Sequence, residues 1–388
     1  VKNQVNIGIL GCGSIFRSMH LPSLLKQKNK FSIVAAYDPN PKAIELTKMA
    51  VGRNSAIKFT ASAREIINDP SIDAIAILTR TSVHVKYAID ALKHGKYVFL
   101  EKPAAVLPSG VKKIISAEKR YKRYCQVGMV LRYSSFYKEL KKIISSGKYG
   151  KVLWMNWLET RPFDPYIWRY LDPETDGDAI IHDKAVHQIN LFNSFAGSKP
   201  AEAAAFGGQY LINPGSYSKV RAFSNEVMLK GRSNDNLMAI INYKNGVKAS
   251  ITVSYVSPHA RESRWIIQLE KAKIVAHFET FVDRAKGSKR KWNGHPSSIY
   301  LFKDNKSYDV PWKYPMSYPP SDDNLVFYDE YKDEPIHPGS GGQWREFYDT
   351  VTKHKKPESS TAIAQEDIIV AKAIDDSIKR KRIVKILL

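Results

Sequence analysis

The amino-acid sequence predicts an α/β protein in two parts. Residues 1–123 read as a doubly wound parallel sheet, and residues 124–388 as an α+β half with an open, largely antiparallel sheet. Three observations predict this. In the first part, short apolar runs alternate with helix-patterned segments, the order that builds a parallel sheet covered by helices on both faces. From about residue 124 strand-like runs dominate, and Asn245-Gly246 between two of them is a strong hairpin turn. With 388 residues the chain is too long for one simple core.

The elements follow in order. Val5–Leu10 is a short apolar strand, Ser18–Lys26 is helical, Phe31–Tyr37 is β-rich, and Lys42–Val51 is helical again. Ile57–Phe59 is a brief extended piece, Asp73–Leu78 a buried strand, Val83–His94 a helix ending at Gly95, and Tyr97–Leu100 a further strand. In the second part strands are expected at Lys151–Leu158, Ala203–Phe206, Asn236–Tyr243 and Val247–Val256, with helices at Phe136–Ser145 and Asp183–Phe195. Residues 281–335 mix Pro, Lys and aromatics, among them Trp312, Tyr314 and Tyr318, and are expected to be an irregular insertion. Gly341-Gly342 then precedes a helix over Gln343–His354, and Thr361–Lys379 is a last amphipathic helix.

Composition narrows the class. Hydrophobic residues make up 43% and charged residues 25%, as in a globular protein. No apolar run approaches the roughly 20 residues of a membrane helix. The opening Val1-Lys2-Asn3-Gln4 leads straight into a strand and reads as no signal peptide. Two cysteines, Cys12 and Cys125, make neither a disulfide framework nor a four-cysteine zinc site, so the expected compartment is the reducing cytoplasm. Net charge is +22, and residues 1–123 alone hold 21 basic and 8 acidic residues. No zinc-finger spacing, RNA-binding signature or basic amphipathic helix accompanies that excess, which reads as a solvated Lys-rich surface rather than a nucleic-acid site.

Gly11-Cys12-Gly13-Ser14-Ile15-Phe16 follows the first strand and opens a helix. The two glycines permit a tight turn and let the backbone approach a pyrophosphate at a helix N-terminus. The third position, normally Gly or Ala, is Phe16. Asp38 ends the second strand, where a carboxylate accepts hydrogen bonds from ribose hydroxyls and repels a 2′-phosphate. NAD is therefore expected over NADP.

Further motifs follow in a specific order. Glu101-Lys102-Pro103 comes directly after the fourth clear strand, and His20-Leu21-Pro22 and Asp38-Pro39 lie upstream. Thr79-Arg80-Thr81-Ser82-Val83-His84, Gly128, Arg132-Tyr133, Trp168-Arg169, Asp183 with His187, and Asp376-Ser377 complete the set. With these the chain resembles the glucose–fructose oxidoreductase / inositol dehydrogenase / MocA family over nearly its whole length. The resemblance implies a Rossmann domain, then an α/β domain whose sheet supports the active site and often an oligomer interface, here a dimer or tetramer.

It further implies that Lys102 and the pair Asp183 and His187 line the nicotinamide pocket. Chemistry supports the same roles. Oxidising a secondary alcohol needs a group to take the hydroxyl proton, and His187 suits that near neutral pH. Lys102 would position the substrate oxygen and stabilise alkoxide character. Asp183, four residues before His187, shares its face if both lie on an α-helix. Gly11, Gly13, Ser14, Ile15, Phe16, Asp38, Thr79, Arg80, His84, Glu101 and Lys102 are the expected cofactor contacts. Arg132, Trp168, Arg169, Lys184 and His337 are the candidates for substrate contact, Lys184 as a second cation for an acidic substrate. No metal is expected, because the sequence lacks His-Glu-x-x-His and any Cys cluster with ligand spacing.

The expected activity is hydride transfer between a nicotinamide and a secondary alcohol or ketone of a sugar, cyclitol or related polyol. Two rivals share the same machinery: a glycosidase that recycles its NAD through oxidation and elimination, and a non-enzymatic dinucleotide-binding regulator.

Overall fold

The computed structural model describes residues 4–52, 55–161, 172–212, 215, 218–222, 225–257, 262–278, 297–310 and 339–388. Trp168, Arg169, His337 and the remainder of the 281–335 stretch lie outside the described residues.

The chain begins with β1 (Val5–Leu10), a π-helical turn (Phe16–His20), α1 (Leu21–Lys26), β2 (Phe31–Tyr37), α2 (Pro41–Val51), β3 (Lys58–Phe59) and α3 (Ala63–Asn68). It continues through β4 (Ala74–Ile77), α4 (His84–Lys93), β5 (Tyr97–Leu100), α5 (Pro108–Tyr121) and β6 (Cys125–Val127). Local chemistry sets several boundaries. Asn40 caps α2 by accepting from Lys42 N at 3.0 Å, with Pro41 at the first helical position. Ser62 caps α3 through Glu65 N. The segment expected as one helix over Ser18–Lys26 divides at Leu21. Pro22 has no N–H to offer the turn before it, so the π-helical turn gives way to α1 there.

Next come α6 (Ser135–Ser145), β7 (Val152–Thr160), a second π-helical stretch (Ala179–Ala185), α7 (Val186–Ala196) and β8 (Pro200–Gly208). Then follow β9 (Ser218–Ala222), β10 (Asn225–Leu229), β11 (Asn236–Tyr243), β12 (Lys248–Ser254), β13 (Glu262–Leu269), β14 (Lys273–Phe278), β15 (Ser297–Lys303) and β16 (Lys306–Asp309). α8 (Ser340–Thr352), α9 (Thr361–Arg380) and β17 (Val384–Lys385) finish the chain.

Two compact units result. Among the described residues the first comprises 4–134 and 339–365, and the second comprises 135–310 and 366–388. The boundary expected at 123 thus falls later, because β6 adds to the first sheet. The C-terminal helix α8 also belongs to the first unit, where Trp344 stacks on Phe99 with ring centroids 4.3 Å apart. The first unit's sheet is parallel throughout, in the order β3-β2-β1-β4-β5-β6. Its strand order reverses between β1 and β4, which is where such sheets bind ligands at their carboxyl ends.

The second unit carries a nine-stranded sheet, β16-β15-β14-β13-β7-β12-β11-β8-β17. All of its neighbouring strands run antiparallel except β12 and β7. β13 alternates half-buried and buried positions, as expected when only one sheet face is covered. Its Trp265 is fully buried and meets Tyr137 of α6 and Phe192 of α7 edge-on. Burying each such ring contributes about 1.5–3 kcal/mol. The opposite face exposes Phe206, Met238 and Ile240. β15 and β16 form a hairpin at the sheet edge, so residues 297–309 of the expected irregular insertion are regular structure instead.

Candidate active site

In the first unit the chain turns as soon as β1 ends. Gly11 has φ +100°, and a Cβ there would stand 2.5 Å from the Leu78 carbonyl oxygen at the end of β4. Only glycine meets both demands. Cys12 N donates to Asp38 Oδ2 at 2.8 Å, and Asn40 N donates to Oδ1 at 2.8 Å. The carboxylate therefore ties the glycine turn to the β2–α2 turn, and each oxygen retains a further lone pair. Beside it lies a cavity of about 550 Å³ bordered by Tyr37, Asp38, Pro39, Ile44, Lys48 and Thr60, within the size range of small-molecule sites.

Gly13, Ser14 and Ile15 continue the turn half-buried, within reach of a ligand laid along it. Phe16 is different. It is fully buried in the apolar cluster with Ile9, Leu24 and Trp344, so its side chain supports the turn from below and has no surface for a cofactor. The bulky third position is thus turned away from the turn rather than into it. Burial beside the Asp38 carboxylate pushes the Cys12 thiol up to about 12, and the side chain serves as a small inert spacer. Arg17, which pattern reading passed over, folds back so that Nη1 donates to the Cys12 carbonyl, and its positive charge stands at the turn.

At the carboxyl end of β5 the chain makes the Glu101-Lys102-Pro103 turn, with a cis peptide between Lys102 and Pro103. Glu101 is buried. Its Oε1 is 2.9 Å from His20 Nε2, and its Oε2 accepts from Lys102 N at 3.0 Å. Burial alone would push this carboxyl up. The hydrogen bond and charge of His20, with help from Lys102, hold it below the usual range. Lys102 itself is half-buried. On the loop after β4, Thr79 is half-buried and Arg80 is exposed. His84 is not open to a cofactor through its ring nitrogens. Nδ1 lies 2.9 Å from the Pro103 carbonyl and Nε2 lies 3.1 Å from that of Thr79. Arg132 sits in a short 3₁₀ turn, where its Nη2 pairs with Glu358 at 3.0 Å within the first unit.

The second unit holds the remaining candidates. Asp178 caps the π-helical stretch by accepting from Ile180 N and Ile181 N, each at 2.9 Å. Asp183 and Lys184 lie within that stretch, while His187 is on α7 and buried. Val186 N bonds back to Ile181 O, five residues earlier, so the α-helical spacing assumed between positions 183 and 187 is interrupted by the wider π turn. His182 Nδ1 accepts from Asp178 N at 3.0 Å, which commits that ring to the cap. Lys184 Nζ lies 2.9 Å from Glu159 Oε1, and Arg161 Nη1 lies 3.6 Å from the same oxygen. The cation foreseen for an acidic substrate therefore shares one buried carboxylate with a second cation, Arg161. Glu159 escaped pattern reading because nothing local marks it. It is a charged residue at an inward position of an otherwise ordinary strand. No helix among the described residues is long and apolar enough to cross a membrane.

Comparison with known proteins bears on both units. Residues 5–129 match the family model GFO_IDH_MocA, described as "Oxidoreductase family, NAD-binding Rossmann fold". Residues 137–275 match the GFO/IDH/MocA C-terminal domain. An inositol 2-dehydrogenase of Ralstonia nicotianae is 28% identical over 196 residues, which is 50% of this chain and 55% of that protein. The chain thus spans about half the length of the curated relatives it matches. Among solved structures, a levoglucosan dehydrogenase in complex with NADH and levoglucosan has a TM-score of 0.75 at 19% identity, covering 99% of this chain and 100% of its own. An oxidoreductase from Agrobacterium radiobacter in complex with NAD+, L-tartaric acid and magnesium gives 0.75 at 17% identity, covering 98% of each chain. At those identities the structures establish the fold. Matched by family models across most of its length, the chain belongs to the Gfo/Idh/MocA oxidoreductase family.

Proposed function

We propose that this chain is an NAD-dependent dehydrogenase or reductase acting on a secondary alcohol or ketone of a sugar, cyclitol or related polyol. The observation that carries the reading lies within the first unit. A glycine turn braced by Asp38 and the Lys102 turn both stand at the carboxyl ends of one parallel sheet, β1 and β5 being separated only by β4. Asp38 has a lone pair on each oxygen for a ribose hydroxyl, and its charge disfavours a 2′-phosphate.

The nicotinamide, when bound, accepts or returns a hydride at C4. The chain's residues handle the rest. The Lys102 ammonium holds the substrate oxygen and stabilises negative charge on it as the C–H bond breaks. In the second unit, His187 is the group we propose for the proton chemistry of the alcohol, a role its imidazole suits near neutral pH. Asp183 orients either the ring or the substrate. The exposed sheet face around Phe206, Met238 and Ile240 is the surface through which the chain would form a homo-oligomer.

The test is Lys102→Ala, assayed by NADH absorbance against a panel of sugars and cyclitols and by direct NAD titration. The expected loss in kcat is about 10²-fold or more, with NAD affinity within about threefold of wild type. Unchanged turnover would end the assignment.

A further inference from the structure

Two buried histidines converge on the turn that carries Lys102, one on each side of it. His20 is fully buried and lies edge-on to Phe99 and Trp344, with centroids at 5.4 and 5.6 Å. Those walls leave its ring one bearing, and Nε2 meets Glu101 Oε1 at 2.9 Å. The other Glu101 oxygen accepts the Lys102 N–H. Glu101 has little room to rotate away, because a Cβ at Gly128 would already stand 2.9 Å from Oε1. On the far side, His84 is 1% exposed, with Nδ1 2.9 Å from the Pro103 carbonyl and Nε2 3.1 Å from that of Thr79; a neutral ring donates to only one of these acceptors, and the shorter contact assigns its N–H to Nδ1, toward Pro103. The residues before and after Lys102 are thus each fixed by an imidazole from a different segment of the first unit. Simple filling of the core would be met by apolar side chains, at lower desolvation cost than a buried carboxylate with its histidine.

We propose that His20 and His84 are positioning residues for Lys102, setting where its backbone stands and hence where its ammonium reaches. Neither touches substrate in this scheme. The proposal rests on the reading of Lys102 as the group that holds the substrate oxygen. It makes a prediction that a general packing role does not, because the two histidines use opposite nitrogens toward the turn. An Asn amide places its N–H near where Nδ1 of a histidine stands, and a Gln amide places it near Nε2. Gln should therefore replace His20, and Asn should replace His84, while the reverse choices should fail.

The experiment uses the full chain as His20→Gln, His20→Asn, His84→Asn and His84→Gln, with crystal structures and steady-state kinetics for each. The Lys102 turn is expected in place in His20→Gln and His84→Asn, and displaced by about 1 Å in His20→Asn and His84→Gln. A displacement of that size costs about 10²-fold in kcat, with KM and NAD affinity changed little. A turn that stays in place in all four variants, or moves equally within each pair, overturns the proposal. So does a kcat loss that fails to follow the crossed pattern. If a His20 variant does not fold, the His84 pair decides alone. Wild-type protein inactive on every polyol tested would instead sink the functional reading, while the crystallographic pattern still judges the positioning.

Discussion

Replacing Gly11 by alanine tests the glycine turn most directly, because the structure separates the two costs involved. The first is conformational: at φ +100° an L side chain is strained by about 1–3 kcal/mol. The second is steric. The new Cβ would stand 2.5 Å from Leu78 O and 2.6 Å from Leu78 C, which are backbone atoms that cannot rotate away. Overpacking of that kind adds about 1–3 kcal/mol. Gly95 provides the control, since it has φ +75° and nothing within 4 Å of an added Cβ. Gly95→Ala should cost only about 1–2 kcal/mol. By calorimetry the first unit should melt roughly 4–24 °C lower for Gly11→Ala and roughly 2–8 °C lower for Gly95→Ala. NAD titration should show weakened binding in the first variant and unchanged binding in the second. If Gly11→Ala proves no worse than Gly95→Ala in both assays, the β1 turn does not depend on its close approach to β4, and the geometry argued for the cofactor turn is wrong.

Three other outcomes are expected. Asp38→Ser removes the carboxylate proposed to face the ribose and should shift the NAD over NADP affinity ratio at least about tenfold toward NADP, equal to about 1.4 kcal/mol; a ratio unmoved in parallel titrations would count against the proposed ribose site. Glu101 is held below its ordinary value of 4.5, so its contribution to stability is present above that pH and is lost as pH falls through the lower folded value. The stability gap between wild type and Glu101→Gln should accordingly shrink below pH 4.5 in denaturant titrations, and a gap that widens there would reverse the sign of the argument. Light scattering should give the wild type the mass of the proposed homo-oligomer and Phe206→Glu, at a position 80% exposed on the sheet face, that of a single chain; a monomeric wild type or an unchanged oligomer in the variant would refute the proposed interface.

Much of the first unit is legible in the sequence because its strands are short apolar runs buried on both faces. Val5–Leu10, Phe31–Tyr37 and Tyr97–Leu100 fall where the apolar pattern puts them. Helix α3 escapes it because its signal is a cap, Ser62 with Glu65, rather than a long apolar stripe, whereas the stripe of α5 at Val111, Ile114 and Ala117 is set among lysines and begins at Pro108. In the second unit, Glu262–Leu269 and Lys273–Phe278 become strands because neighbours in the sheet select them, which no local window contains. The candidate site divides in the same way. Gly11, Asp38 and Lys102 are marked by order and spacing. Long-range partners, 81 residues apart for His20 and Glu101, become visible only once the sheet brings them together.

The return of α8 to the first unit has a consequence for how the polypeptide is made. Trp344 and Phe347 are fully buried, and they cover Phe99 and Phe31, whose rings would otherwise face water. During synthesis the first 134 residues leave the ribosome more than 200 residues before their own lid. Over that interval an aromatic patch on the nascent domain stays bare, a natural target for chaperones and a hazard for aggregation. The dinucleotide-binding half is therefore not a detachable module: cut after the sixth strand, it would carry its glycine turn intact and its sticky side open.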